Sequence, residues 1–242
     1  MKLSIIFPVL NERSTVETIL QKVLGFQMPG LETEIVIMEG GSTDGTREIV
    51  QGYEKLPNVK IVYESRPRGK GAAVRGALKE LTGDIVLIQD GDLEYDPKDY
   101  PALLEPLMAG KADIVFGSRA INHAQQWQYR QFRGLDRLYG FAVNFGGALL
   151  TELFNRLYGT RLSDGATMFK VFRTRLLRSI EIRSNGFDFD WEIQGKLAKK
   201  GHQILEVPVS YKARTLREGK KIRFWRDGWI VLWAILKYRF SN

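Results

Sequence analysis

The chain has no cysteine and only two histidines, His123 and His202, in 242 residues. Without thiols there is no disulfide framework and no thiolate chemistry. Two isolated imidazoles exclude a histidine-rich metal site. No apolar run reaches the roughly 20 residues that span a bilayer. The first apolar stretch, residues 3–10, is strand-like and broken by Pro8, so it does not read as a secretion signal. Negative charge is in deficit: 28 Asp/Glu face 36 Lys/Arg, a formal net charge of +8. That imbalance favours an anionic partner, whether phosphate ligand, nucleic acid or membrane surface. The rest, 44% hydrophobic and 26% charged, suffices for one large domain or two small ones. The expected location is the cytoplasm, peripherally against the cytoplasmic face of a membrane.

What is present centres on DIVLIQDGDLE, residues 84–94. Its apolar run reads as a strand buried on both faces. The strand stops where Asp90, Gly91 and Asp92 begin, which places two carboxylates at a strand's carboxyl end, where open α/β sheets bind ligands. Residues two apart in extended chain point the same way, so the two acids repel unless a cation lies between them. Hard oxygen donors without nearby His or Cys suit Mg²⁺ or Mn²⁺. The competing reading is a capped turn ahead of a helix.

Strands are expected at 3–7, 34–38, 59–63, 84–89 and 113–117, with helices at 14–25, after 45, and at 72–81. Ser14 and Glu17 have capping-box spacing. This alternation predicts an α/β fold with a mainly parallel central sheet flanked by helices. Glu12, Glu39, Arg68, Lys70, Asp90, Asp92 and Arg119 then gather on one rim, with acids for a metal and bases for phosphates.

The second half differs. From 121 to 158 it is aromatic, basic and helical in pattern, with Arg130, Arg133 and Arg137 along one face. Asp188, Asp190 and Glu192 open a helix that ends near Lys200, and 204–209 is a last strand whose Pro208 suggests a sheet edge. From 205 onward nine Lys/Arg stand against three Asp/Glu. Trp225, Trp229, Trp233 and Leu236 fall on one face of an amphipathic C-terminal helix. That pattern fits either a helix lying in the lipid headgroup region or one docking its Trp face onto the domain.

With FPVLNE (7–12), EGGSTDGT (39–46), RGKGAAVRGAL (68–78), QDGDLEYDP (89–97) and GSR (117–119) in order, the chain resembles the family 2 glycosyltransferases of GT-A, or nucleotide-diphospho-sugar transferase, fold. Its DLEYDP wording and EGKKIRFWRDG (218–228) resemble the dolichol-phosphate mannose synthase-like branch. The resemblance implies a GT-A domain over 1–212, with a nucleotide-sugar half at 1–119 and an acceptor half at 120–212, followed by a basic, Trp-rich segment at 213–242. It also implies that Pro8, Asn11 and Glu12 line the nucleoside pocket and that Glu39, with Gly41 and Ser42, meets the base. Asp90, Asp92 and Glu94 bind the metal, with Gly91 between them and Lys70 beside the phosphates. Arg119 faces the donor or acceptor phosphates, and Arg214, Arg217 and Lys220 close over the diphosphate. Glu39-Gly40 stands where the family commonly has two aspartates, and Ala166 where many relatives carry an extra acid.

The reaction implied is inverting transfer of a sugar from a UDP- or GDP-sugar to a polyprenyl (dolichyl or undecaprenyl) phosphate. The expected partners are those two substrates, a membrane surface and a membrane protein, and not nucleic acid. A phosphate acceptor needs no strong base. A hydroxyl acceptor needs a carboxylate, for which Asp164, Asp188, Asp190 and Glu192 are candidates. Two rivals are a nucleotidyltransferase of similar fold, which lacks its glycine-rich signature after the first strand here, and a non-enzymatic anion-binding module, for which the acidic rim has no use.

Overall fold

The chain is represented by a computed structural model that describes residues 1–121, 136–214 and 224–241. Arg130, Arg133, Arg217 and Lys220, and the side chains of Arg137 and Trp225, lie outside what is described.

The elements run β1 (Lys2–Val9), α1 (Val16–Leu24), β2 (Glu32–Glu39), α2 (Thr46–Gln51), β3 (Val59–Tyr63), α3 (Lys70–Ala77), β4 (Ile85–Ile88), α4 (Tyr100–Met108), β5 (Ile114–Ser118), α5 (Asp136–Tyr158), β6 (Lys170–Arg173), α6 (Thr174–Arg178), α7 (Phe189–Lys199), β7 (Leu205–Pro208) and α8 (Phe224–Phe240). One seven-stranded sheet has the order β3-β2-β1-β4-β6-β5-β7. All neighbours are parallel except β6, which runs antiparallel between β4 and β5. Its reversal brings its first residue, Lys170, to the rim where the parallel strands end. β7 is an edge, as Pro208 suggested.

Both faces of the sheet are covered, so strand residues alternate between two cores. Ile85 and Leu87 pack with Leu3, Ile5 and Phe7 against α1 and α4, whereas Val86 and Ile88 pack with Ile6 and Phe116 on the opposite face, beneath α3, α5, α7 and α8. Burial on both sides is why β4 reads as an unbroken apolar run. Pro8 does not end β1. Pairing with β4 stops at Ile6, so the missing N–H removes no bond on that side.

The expected capping box does not form. α1 begins at Val16 and its N-cap Thr15 makes no side-chain capping bond; the Thr15 hydroxyl donates instead to the Gly91 carbonyl at 2.9 Å, tying α1 to the acidic loop. Among the described residues of α8, the Trp face does not dock either. Ala234, Ile235 and Tyr238 enter the core, while Trp229 and Trp233 are exposed.

At the opposite end of the sheet, Glu34 clamps three segments. It accepts from Ser4 Oγ at 2.5 Å, from Lys2 Nζ at 2.7 Å, and from Thr82 N and Oγ1 at 2.6 and 2.5 Å. Burial pushes its carboxyl up, but these bonds together outweigh that and hold it at about 2, below its ordinary 4.5. A depressed folded pKa adds stability that is present above pH 4.5 and lost as pH falls through about 2. Glu34→Gln is therefore expected to lower stability at pH 7 by about 1–2 kcal/mol, solvent screening of this half-buried group weakening the full effect, and to flatten the acid limb. Urea unfolding at stepped pH checks this, and an unchanged acid limb would refute it.

Candidate active site

The site is built on the carboxyl end of β4. Buried Gln89 fixes the first step, accepting from Tyr100 Oη at 2.7 Å and donating to the Asp90 carbonyl at 3.0 Å. Gly91 lies against β1, where an added Cβ would sit 3.0 Å from Val9 Cγ2. Asp90 is ion-paired with Lys70, the first residue of α3. That helix start needs glycine on either side: a Cβ on Gly71 would come within 2.4 Å of the Ser184 carbonyl, and Gly69 has φ +98° against Asn185.

Asp92 is buried and accepts the Glu94 N–H at 2.9 Å and Arg214 Nη2 at 2.5 Å. Burial first, then the charges of Asp90 and Glu94, push its carboxyl up to about 7, and Arg214 only partly offsets them. Arg214 also donates through Nη1 to Glu12 at 2.9 Å. Glu94 accepts from Tyr211 Oη at 3.0 Å and from the Arg214 N–H at 2.8 Å. Four carboxylates thus converge around one guanidinium and one lysine.

The loops after β1 and β2 are stitched together beside this cluster. Asn11 has φ +50° and receives the Thr43 N–H at 2.9 Å, while its own N–H donates to Ser42 Oγ at 3.0 Å. Glu39 is fully buried and accepts from the Ser42 N–H and from Arg47 Nε, both at 2.6 Å. Gly41 has φ +83° and backs onto Arg66. Asn11, Glu39, Gly41 and Ser42 therefore shape the rim, and none is on the lining of the main cleft. Glu39, expected to meet the base, has both oxygens engaged within the protein.

The cleft encloses about 710 Å³. Of the expected residues, Pro8, Glu12, Arg68, Lys70, Asp90, Gly91, Asp92, Glu94, Arg119, Asp190 and Arg214 line it. Its other end is mainly apolar, between Val143, Gly147 and Leu150 of α5 and Trp229, Val231 and Leu232 of α8, with the Arg226–Asp227 ion pair at the start of α8.

The acid–base candidates separate clearly. Asp164 accepts from the Arg119 N–H at 3.0 Å and from its Nε and Nη2 at 2.7 and 2.8 Å. Arg119, stacked 4.9 Å from the Tyr211 ring, is turned onto Asp164, since a buried guanidinium requires a counterion. Asp164, a candidate base, does not line the cleft, whereas Arg119 lines it with its charge paired to Asp164. Glu192 receives the Arg183 and Ser184 N–H groups and Lys196, fastening the loop over α3. Asp188 makes no capping bond. Only Asp190 both lines the cleft and is buried, 3.2 Å from Lys170 Nζ. Burial raises the Asp190 carboxyl and lowers the Lys170 ammonium, so the pair is drawn towards sharing a proton. The Asp190–Lys170 pairing, Glu64 at the end of β3 and Tyr211 after β7 escaped the sequence reading. Glu64 was accessible to the rim argument, since it directly follows a strand.

The donor set fits a divalent ion. The cluster is all hard oxygen, and Asp92 is destabilised as an anion by burial and its neighbours, which a cation relieves. Among the described residues no three acids stand preassembled as a metal cage, because Arg214 lies between them. Mg²⁺ ordinarily takes only one or two protein carboxylates and completes its shell with phosphates and water.

A sheet of this order with paired acids at a strand end defines a nucleotide-diphospho-sugar transferase, or GT-A, fold. The chain belongs to glycosyl transferase family 2, whose model matches residues 4–180. It is 28% identical over 222 residues to a dolichol-phosphate mannosyltransferase of Pyrococcus furiosus, covering 91% of this chain and 59% of that protein. It is likewise 28% identical over 229 residues to the low-salt glycan biosynthesis hexosyltransferase Agl6 of Haloferax volcanii, covering 94% of this chain and 51% of that protein. The chain thus spans little more than half the length of these relatives. Glucosyl-3-phosphoglycerate synthase from Mycobacterium tuberculosis, crystallised with Mn²⁺, UDP and glucosyl-3-phosphoglycerate, shares the fold with a TM-score of 0.72 and 20% identity, covering all of this chain and 81% of that one.

Proposed function

We propose that the chain is a metal-dependent, inverting glycosyltransferase that moves a sugar from a nucleotide-diphosphate sugar to a polyprenyl phosphate at a membrane surface. The observation that carries this is the make-up of the cleft. Charged groups suited to phosphates, at Lys70, Asp90, Asp92 and Arg214, and a mainly apolar stretch between α5 and α8 suited to a hydrocarbon chain line the same cleft. A donor of sugar alone has no need of the apolar stretch. The P. furiosus relative, by its name a dolichol-phosphate mannosyltransferase, supports the lipid-phosphate acceptor.

In this reading Asp90, Asp92 and Glu94 hold Mg²⁺ or Mn²⁺. When bound, the ion supplies neutralisation of charge on the leaving diphosphate. Lys70 and Arg214 add fixed positive charge at the same place. The acceptor phosphate oxygen is already an anion, so attack needs no general base, consistent with Asp164 and Glu192 being engaged elsewhere. The exposed aromatic face of α8 rests on the cytoplasmic face of the membrane. No helix among the described residues is long and apolar enough to cross it.

One observation favours a hydroxyl acceptor instead: buried Asp190, with its raised pKa, faces the cleft and is suited to taking a proton. The test is incubation of the full chain with Mn²⁺, radiolabelled UDP- and GDP-sugars and dolichyl or undecaprenyl phosphate in detergent. Label that extracts with the lipid is expected. Label appearing only on soluble hydroxyl acceptors would overturn the lipid-phosphate reading.

A further inference from the structure

Arg214 occupies the centre of the carboxylate cluster. It sits at the end of a segment leaving edge strand β7, and the cluster itself holds that segment down. The Lys212 N–H donates to the Glu94 carbonyl at 2.9 Å, the Arg214 N–H to Glu94 Oε1 at 2.8 Å and Tyr211 Oη to Glu94 Oε2 at 3.0 Å. The guanidinium bridges Asp92 and Glu12, at 2.5 and 2.9 Å. Its fit is incomplete: Nε is buried without a hydrogen-bond partner, 3.7 Å from Glu94. A desolvated donor without an acceptor is costly. Arg214 thus neutralises these acids without being fully satisfied by them.

Two of these acids, Asp92 and Glu94, are among the three assigned above to a divalent ion. An ion drawing on the Asp92 charge competes directly with Arg214 Nη2, and Glu94 turning with it pulls away from the Arg214 N–H. A guanidinium bonded to Asp92 and Glu12 and a divalent cation drawn to Asp92 and Glu94 compete for the Asp92 carboxylate.

We infer that residues 211–214 form a counterion latch: Arg214 holds the acid cluster closed without metal, and a divalent ion displaces it, freeing it to meet the donor diphosphate. This rests on the proposed metal-dependent transferase function and adds its regulation. Ion alone must compete with Arg214 and binds weakly. Ion together with a nucleoside diphosphate supplies a replacement cation for the acids and a new anion for Arg214, so the two ligands bind cooperatively. Linkage makes the effect reciprocal.

The test measures Mn²⁺ binding to the full chain by the electron paramagnetic resonance signal of free Mn²⁺, with and without UDP or GDP. Wild type is compared with Arg214→Met and with Lys212→Met, which removes the same charge from an exposed neighbour. Arg214→Met is expected to bind Mn²⁺ alone at least about fivefold more tightly than wild type, and to lose the nucleotide's enhancement by the same factor. Lys212→Met is expected to match wild type. In the wild type itself, which does not depend on the variant folding, exchange of the Lys212 and Arg214 amides should rise at least about tenfold when Mn²⁺ and nucleotide are added. Equal Mn²⁺ affinity in wild type and Arg214→Met, equal gains in both variants, or unchanged amide exchange would each overturn the latch and leave the transferase reading standing. Absence of Mn²⁺ binding in every form would overturn the latch and the metal assignment together, with sugar transfer then tested separately.

Discussion

Asp92→Asn is expected to slow sugar transfer about 10²–10³-fold, the scale on which removing one preorganised charge-stabilising group acts. The substitution keeps shape and keeps an oxygen for the Glu94 N–H, which now reaches Asp92 at 2.9 Å. What it removes is the negative charge at the most buried acid of the cluster. The stability outcome runs the other way. Burial and the neighbouring acids raise the Asp92 carboxyl from 3.8 to about 7 in the fold. An acid raised on folding contributes stability that is present below its unfolded pKa and lost as pH rises through about 7. The variant lacks that penalty at pH 8, although Arg214 loses an ionic partner. Its melting temperature at pH 8 is therefore expected within a few degrees of wild type. Transfer within threefold of wild type at saturating donor and Mn²⁺ would remove Asp92 from the site. A rate loss accompanied by a collapsed melting transition would instead assign it a structural role.

The half of the chain that holds this cluster was the legible half, for a physical reason. β4 is apolar at four successive positions because both faces are covered, and a run of that kind followed by acids places the acids at a strand end without further information. The same logic placed Lys70 and Glu12. What could not be read is what depends on distant pairing. β6 inserts antiparallel between β4 and β5, and nothing in residues 170–173 states that direction. Yet it brings Lys170 beside Asp190, the one of the four candidate acids that lines the cleft. Arg119 and Asp164 are 45 residues apart, and each alone reads as a free functional charge; only the fold shows that they are paired. Ser14 and Glu17 had the right spacing for a cap, but tertiary contact with Gly91 drew Thr15 into that role's place. α4 passed unread because Pro101 and Pro106 resemble loop residues; Pro101 lies in the first turn, where proline removes no helical bond.

The second large effect concerns an aromatic face exposed among the described residues. Trp229 and Trp233, one turn apart on α8, are each 68% exposed, and Phe145 and Leu149 of α5 are also largely exposed. α8 ends with Lys237 and Arg239, suited to anionic headgroups. A tryptophan offers up to about 250 Å², so each exposed ring has about 170 Å² to bury, worth about 4 kcal/mol if fully transferred and about 2 kcal/mol at interfacial depth. Trp229→Ala/Trp233→Ala is therefore expected to weaken binding to anionic phospholipid vesicles by about 10²–10³-fold, read by co-sedimentation. The fold should survive, since α8 is held by Ala234, Ile235 and Tyr238 on its other side. Trp229 also lines the cleft whereas Trp233 does not, and this separates two roles that the double variant merges. Trp233→Ala should lose about half the binding free energy of the pair while transferring sugar normally to a short, water-soluble polyprenyl phosphate. Trp229→Ala should impair both. Vesicle binding unchanged in Trp233→Ala would mean that the aromatic face does not meet lipid, and the apolar stretch of the cleft would then have to receive its acceptor from water.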